Sequence, residues 1–245
     1  MSQLIIDIGN SSAKVALFEG DILAEHIHAS HEELPHLLRA KASEHAITRA
    51  IVSSVIPLSK AAEDAINGLP FPCLKMSAQL AMPFNIAYKT PETLGTDRLA
   101  ATAGAWCQQP NHDLLVIDMG TAITYDLVTS DGTYHGGNIA PGINMRFKAL
   151  NHFTGRLPLV SQEGERIAIG NSTESAIREG VLQGVFYEIE GYIRSYRLKF
   201  PNLLVFLTGG DAFLLENQAK SRIFADSLLV PKGLNKILTL NNENS

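Results

Sequence analysis

An internal repeat constrains the fold more than any other feature of the chain. Leu4-Ile5-Ile6-Asp7-Ile8-Gly9 near the start and Leu115-Val116-Ile117-Asp118-Met119-Gly120 near the middle are the same phrase, an apolar run ending in Asp-x-Gly. Small and hydroxyl residues follow each, Asn10-Ser11-Ser12-Ala13 in one copy and Thr121-Ala122-Ile123-Thr124 in the other. A second apolar run and a polar turn come next, at Glu19-Gly20-Asp21 and Ser130-Asp131-Gly132. Leu, Ile and Val runs bounded by turn residues read as buried strands. Both copies predict strand, tight turn, strand, and the 245 residues leave room for two small related domains.

The rest of the pattern fits an α/β class built twice. Residues 2–7, 13–18 and 22–28 predict an antiparallel meander, and 113–118, 122–128 and 133–139 predict a second. Helices are expected from His31 to Ala42, Lys60 to Ile66 and Leu94 to Gln108, the last with Thr96 or a neighbour as its cap. A Pro141-Gly142 break precedes a helix to about Leu150. Ser172 to Lys199 predicts a long helix with Ala176, Ile177, Val181, Leu182, Val185 and Phe186 on one face. Further strands are expected at Arg49 to Val55 and Leu203 to Leu207, and a last helix near Pro231. The Gln109 to His112 stretch is the expected boundary between domains 1–112 and 113–245.

Composition removes several function classes. A net charge of −5 gives no electrostatic footprint for nucleic acid. No apolar run approaches the ~18 residues of a membrane span, and the N-terminus enters a strand without a basic, signal-like region. A cytoplasmic protein without a membrane or nucleic-acid partner is expected. Cys73 and Cys107 lack metal-ligand spacing and read as buried thiols, and the eight histidines, among them His112, His135 and His152, are scattered.

The repeated motif is suited to phosphate and cations. Glycine lets the backbone turn sharply and approach a ligand closely, and successive N–H groups with Ser or Thr hydroxyls can cradle phosphate oxygens. The Asp adds a carboxylate suited to a hard cation. One Asp-x-Gly is ordinary turn chemistry; two in matching context point to a nucleotide triphosphate held by both copies. Leu203 to Leu207 likewise runs into Thr208-Gly209-Gly210-Asp211, a further anion-site pattern if a helix follows.

Asp7-Ile8-Gly9-Asn10-Ser11, Gly95-Thr96-Asp97-Arg98, Asp118-Met119-Gly120-Thr121-Ala122, Gly136-Gly137-Asn138-Ile139-Ala140-Pro141-Gly142 and Thr208-Gly209-Gly210-Asp211, in this order and at this length, resemble the type III pantothenate kinases. The resemblance extends to Val230-Pro231-Lys232-Gly233-Leu234. It implies a duplicated ribonuclease-H-like fold of the acetate and sugar kinase, Hsp70 and actin superfamily, with mixed sheets flanked by helices. It also implies a homodimer and ATP-dependent phosphorylation of pantothenate, the first step of coenzyme A synthesis.

Residue by residue, the resemblance implies nucleotide phosphate contacts at Gly9, Asn10, Ser11 and Lys14, and at Gly120 and Thr121. Asp118 matches the position that binds potassium or ammonium, and Asp7 is expected to hold Mg²⁺ through water. Gly95, Thr96, Asp97 and Arg98 match the pantothenate segment, with Asp97 the base, while Tyr88 and Thr173 match further substrate contacts. Ser11 stands where many members carry Thr, which keeps the hydroxyl. Phosphoryl transfer needs charge neutralisation and a group that orients the attacking hydroxyl, which Asp97 can supply. Arg98 beside it would lower its basicity, so a guanidinium fork aimed at the pantothenate carboxylate is the better expectation. By itself Thr96-Asp97-Arg98 also reads as a helix start with an exposed Arg, Lys14 as a solvated strand residue, and the Gly136–Gly142 loop as turn chemistry or a substrate wall. The rival functions are a kinase of another small hydroxylated substrate and a non-catalytic ATP-binding, transcriptional accessory protein.

Overall fold

The computed structural model describes residues 2–44, 47–216 and 223–243. The first meander is β1 (Ser2–Ile8), β2 (Ala13–Glu19) and β3 (Ile22–Ala29), followed by α1 (Leu34–Glu44), β4 (Ile47–Ser54), α2 (Lys60–Asn67) and β5 (Cys73–Lys75). Then come β6 (Asn85–Ile86) and α3 (Thr96–Gln108). The second meander is β7 (Leu114–Met119), β8 (Ala122–Thr129) and β9 (Thr133–Pro141), followed by α4 (Ile143–His152), α5 (Thr173–Lys199), β10 (Leu204–Thr208), α6 (Phe213–Glu216), β11 (Ile223–Ala225) and α7 (Leu229–Glu243).

Strand order proves the duplication. The first sheet runs β3-β2-β1-β4-β5, and the second repeats it as β9-β8-β7-β10-β11 with β6 added beside β9. β1 is antiparallel to β2 and parallel to β4, and the parallel β1–β4–β5 series recurs as β7–β10–β11. This is the ribonuclease-H-like arrangement written twice, an α/β fold of mixed sheets flanked by helices. The central strands β1 and β7 are apolar along most of their length because both faces are covered, as parallel-paired strands require.

Two compact units emerge from the contacts. One holds the residues up to Asn111, Val128–Gly136 and those from Leu228 onward; the other holds His112–Leu127 and Gly137–Ser227. In the first, Leu4, Ile6, Val15 and Leu17 pack with Leu34 and Leu38 of α1 and with Ala62, Ala65 and Ile66 of α2. On the far side α3 lies along α7, which also meets β1 and β4. In the second, Leu115, Ile117, Ile123 and Tyr125 pack with Ile177, Val181, Val185 and Ile189 of α5.

Several local expectations need correction. α1 begins at Leu34, not His31, whereas α7 begins at Leu229, near Pro231 as expected, and its first turn tolerates the proline because that N–H is not needed there. Ala176 is exposed while Ser175 and Glu179 of α5 are buried. Ser175 is drawn in by a capping box with Ser172, and Glu179 by an ion pair with Arg166. Cys107 is exposed rather than buried, and Cys73 is half-buried. Gly136 to Pro141 is not a loop but the run of β9.

Candidate functional site

In the first unit the site is built on one row across the sheet. Asp7 on β1 pairs in register with Lys14 on β2 and with Ser53 on β4, so the three side chains share one face. Asp7 is buried, and burial pushes its carboxyl up to about 6 against the pull of Lys14, with Asp97 adding repulsion. Two carboxylates therefore work against each other here, which suits a divalent cation. After β1 a four-residue loop closes by Gly9 N–H donating to Ser12 O at 3.0 Å, leaving Asn10 and Ser11 exposed at its tip.

His31 also holds this loop, a role its sequence context does not suggest. Its Nε2 lies 3.0 Å from Gly9 O, and since a carbonyl only accepts, Nε2 carries the proton. Nothing in the spacing of the histidines marks it out, because the contact joins a residue after β3 to a turn after β1.

The Gly95-Thr96-Asp97-Arg98 segment opens α3. The N-cap is Gly95, the neighbour of Thr96, in keeping with the expected cap at Thr96 or a neighbour, and the Thr96 hydroxyl meets Ser53 Oγ at 2.9 Å. Asp97 sits in the first helical turn, where a carboxylate is favoured by the helix dipole, and its Oδ1 accepts from Arg98 N–H at 2.8 Å. Arg98 is not on an exposed face: it is 6% exposed, with its guanidinium carbon 6.0 Å from the centre of the Tyr88 ring. Tyr88 in turn lies against Gly136, where any Cβ would collide with the ring, and tilts toward Tyr134 with centroids 6.5 Å apart. Ser53, Tyr134 and Gly136 thus back the segment. Only the hydroxyl pair Ser53-Ser54 at a strand end hinted at this.

In the second unit the corresponding turn is shorter. Between β7 and β8 lie only Gly120 and Thr121, closed by Gly120 N–H to Ala122 O at 3.2 Å, with Thr121 exposed. Asp118, half-buried near the end of β7, is boxed by glycine: a Cβ on Gly209 would lie 2.5 Å from its Oδ1, and one on Gly120 3.3 Å. Gly209 also needs its freedom for a φ of +93°. The Thr208 to Asp211 loop clasps β7 through Asp211 N–H to Met119 O and leads only to the four-residue α6. Burial raises the Asp211 carboxyl. Thr173 begins α5 behind the Ser172 cap and borders an open groove of about 770 Å³ with Arg146, Ala176 and Ile177.

The first unit therefore brings together Asp7, Lys14, Thr96, Asp97, Arg98 and Tyr88, and the second gathers Asp118, Gly120 and Thr121. Among the described residues no cluster of three or more His, Cys, Asp or Glu could hold a metal by itself. A cation at Asp7 or Asp118 would take its remaining ligands from water, backbone or a phosphate.

A family model described as type III pantothenate kinase matches residues 3–195. A type III pantothenate kinase of Bacteroides fragilis is 52% identical over 239 residues, covering 98% of this chain and 98% of that protein. Among solved structures, a Campylobacter jejuni protein described as a Baf family transcriptional activator superposes with a TM-score of 0.64 at 24% identity, covering 99% of this chain and 100% of that one. The activator of 2-hydroxyisocaproyl-CoA dehydratase from Clostridium difficile, with bound ADPNP, gives a TM-score of 0.52 at 12% identity over 99% of this chain and 95% of that one. These two structural likenesses show the fold alone.

Proposed function

Since the chain belongs to the type III pantothenate kinase family, we propose that it transfers the terminal phosphoryl group of ATP to the hydroxyl of pantothenate, giving 4'-phosphopantothenate in the first step of coenzyme A biosynthesis. The observation that carries this reading is the grouping of Asp7, Lys14 and Asp97 beside a buried Arg98 in one unit. It joins two anion-handling groups to two carboxylates, the composition a kinase of an acidic alcohol needs. The test is an assay of the purified protein with ATP, Mg²⁺ and pantothenate, read by ADP release and by the mass of the product. Absence of a phosphorylated product, or faster turnover of another small alcohol, would overturn it.

The chemistry then divides among named groups. Phosphoryl transfer has a loose transition state, so the protein mainly positions and neutralises. The Gly9 turn with Asn10, Ser11 and Lys14, and the Gly120-Thr121 turn, hold ATP phosphates. Mg²⁺ would be held by Asp7 through water, in keeping with its reluctance to dehydrate, and would neutralise the developing charge. Asp97 accepts the proton of the attacking hydroxyl. Arg98 receives the pantothenate carboxylate, with Tyr88, Gly95, Thr96 and Thr173 as further substrate contacts. Asp118 holds potassium or ammonium.

The reading extends to a cytoplasmic homodimer whose halves 1–112 and 113–245 are the two copies of the duplicated unit. Support comes from the repeated strand order and from the exposed Tyr187 and Leu198 on α5. Among the described residues no helix is long and apolar enough to cross a membrane.

A further inference from the structure

One peptide group of the second unit is gripped on both sides. The Pro141 carbonyl accepts a hydrogen bond from Arg146 Nε at 2.8 Å, and the Gly142 N–H of the same peptide donates to Thr121 O at 3.1 Å. The peptide plane is rigid, so its C=O and N–H move together. Whatever fixes the oxygen fixes the group that holds the Thr121 turn. A Cβ on Gly142 would collide with the carbonyl oxygens of both Thr121 and Gly120, so the two backbones are in direct contact.

Arg146 is itself fixed by Glu188 of α5, to which its Nη2 donates at 2.7 Å. The other oxygen of that carboxylate accepts from Tyr125 Oη at 2.7 Å. Tyr125 is fully buried on β8, the strand that leaves the Thr121 turn, and its ring stacks on Tyr192 with centroids 3.9 Å apart. One carboxylate therefore holds β8, the strand that leaves the turn, through Tyr125, and through Arg146 the end of β9, whose Gly142 N–H is bonded to the turn. Burial and the bond to Glu188 raise the Tyr125 hydroxyl, which keeps its proton and stays a donor. The parallel loop of the first unit is held by His31 instead.

We propose that Glu188 and Arg146 are positioning residues for nucleotide binding, setting the geometry of the Gly120-Thr121 turn through the Pro141–Gly142 peptide. This rests on the reading of Thr121 as an ATP contact. Lysine at 146 keeps the charge but cannot serve the carboxylate and the carbonyl from one planar fork.

The test uses Arg146→Lys, Glu188→Gln and their double variant, titrated with a non-hydrolysable ATP analogue and Mg²⁺ and assayed for KM of ATP and of pantothenate. Each single change should weaken nucleotide binding about tenfold, the lower end of what outer-shell supports cost, and should speed amide exchange at Gly142. The KM of pantothenate should stay within about twofold, and the double variant should bind no worse than the weaker single, as expected for one connected network. Tyr125→Phe keeps the packed ring, guards against misfolding, and should shift binding in the same direction to a smaller extent. Unchanged nucleotide affinity, equal loss for both substrates, or additive single effects would overturn the proposal. If the wild type binds the analogue but does not phosphorylate pantothenate, the kinase reading fails and the positioning role stands; if it binds no nucleotide, both fall.

Discussion

Ser53 Oγ and Thr96 Oγ1 lie 2.9 Å apart, and this bond joins the end of β4, beside Asp7, to the first residue of the helix that carries Asp97. It ties the start of the helix that carries the proposed base to the sheet. Thr96→Val keeps the shape and removes the partner of a Ser53 hydroxyl whose residue is 1% exposed. An unsatisfied buried hydroxyl costs about 1–3 kcal/mol, so thermal unfolding should shift down and kcat should fall with it. Ser53→Ala combined with Thr96→Val removes both partners and should recover much of the stability. Unchanged stability in the single variant would show that the bond contributes nothing.

For Asp97 itself, Asp97→Asn should lower kcat by about 10²–10⁴, the range of a general base. ATP binding should be largely intact, because the amide oxygen can still accept from the Arg98 N–H in the first helical turn. Wild-type turnover in this variant would sink the assignment.

Asp7 predicts a pH dependence of folding in metal-free buffer. Its carboxyl lies at about 6 in the folded chain against an ordinary 3.8. A raised acid binds more protons folded than unfolded, so stability falls as pH climbs from about 4 to 6 and is flat above. The difference amounts to roughly 3 kcal/mol at ~1.4 kcal/mol per pKa unit. Denaturation with a chelator present should show this decline in the wild type and its absence in Asp7→Asn. Parallel curves for the two proteins would contradict the burial argument.

Much of this was legible in the sequence, and the failures have physical causes. Both meanders and the long α5 were readable because their apolar runs are long and bounded by turn residues. β5, β6 and β11 span only two or three residues, too few to carry a period. The strands read from the sequence already left the longer gap in the first copy, and the Gly9 loop has four residues against two in the Gly120 turn, since Asn10, Ser11 and Ser12 stand against Thr121 alone. Arg98 was legible as a candidate, but its burial against Tyr88 depends on the backbone seat at Gly136, which no local pattern announces. His31 and Glu188 act through tertiary contacts and have no motif.

Asp118 should make the enzyme sensitive to monovalent cations. Replacing sodium by potassium or ammonium should activate the wild type, and equal rates in all three salts would count against the assignment. Gly209→Ala would bring a methyl to 2.5 Å from Asp118 Oδ1 in a backbone with φ of +93°. The activation should be lost in that variant, while nucleotide binding by the first unit's loop should change little.

Arg98 offers the sharpest separation of substrate recognition from structural support. It is nearly buried, with its guanidinium over the Tyr88 ring, so a substrate carboxylate reaching it would meet a fork already withdrawn from water, where a charge-assisted bond is strong. If the pantothenate carboxylate binds there, Arg98→Lys keeps the charge and loses the two-point fork. A charge-assisted contact is worth about 1.5–3 kcal/mol, so kcat/KM for pantothenate should fall roughly 10- to 150-fold at ~1.4 kcal/mol per decade. The KM for ATP should hold. An analogue with the carboxylate replaced by an amide should bind the wild type poorly and lose little further affinity for the variant. If Arg98 serves only to support α3 and Tyr88, Arg98→Lys will lower the unfolding temperature and leave pantothenate kinetics as they were, and the carboxylate assignment must be abandoned.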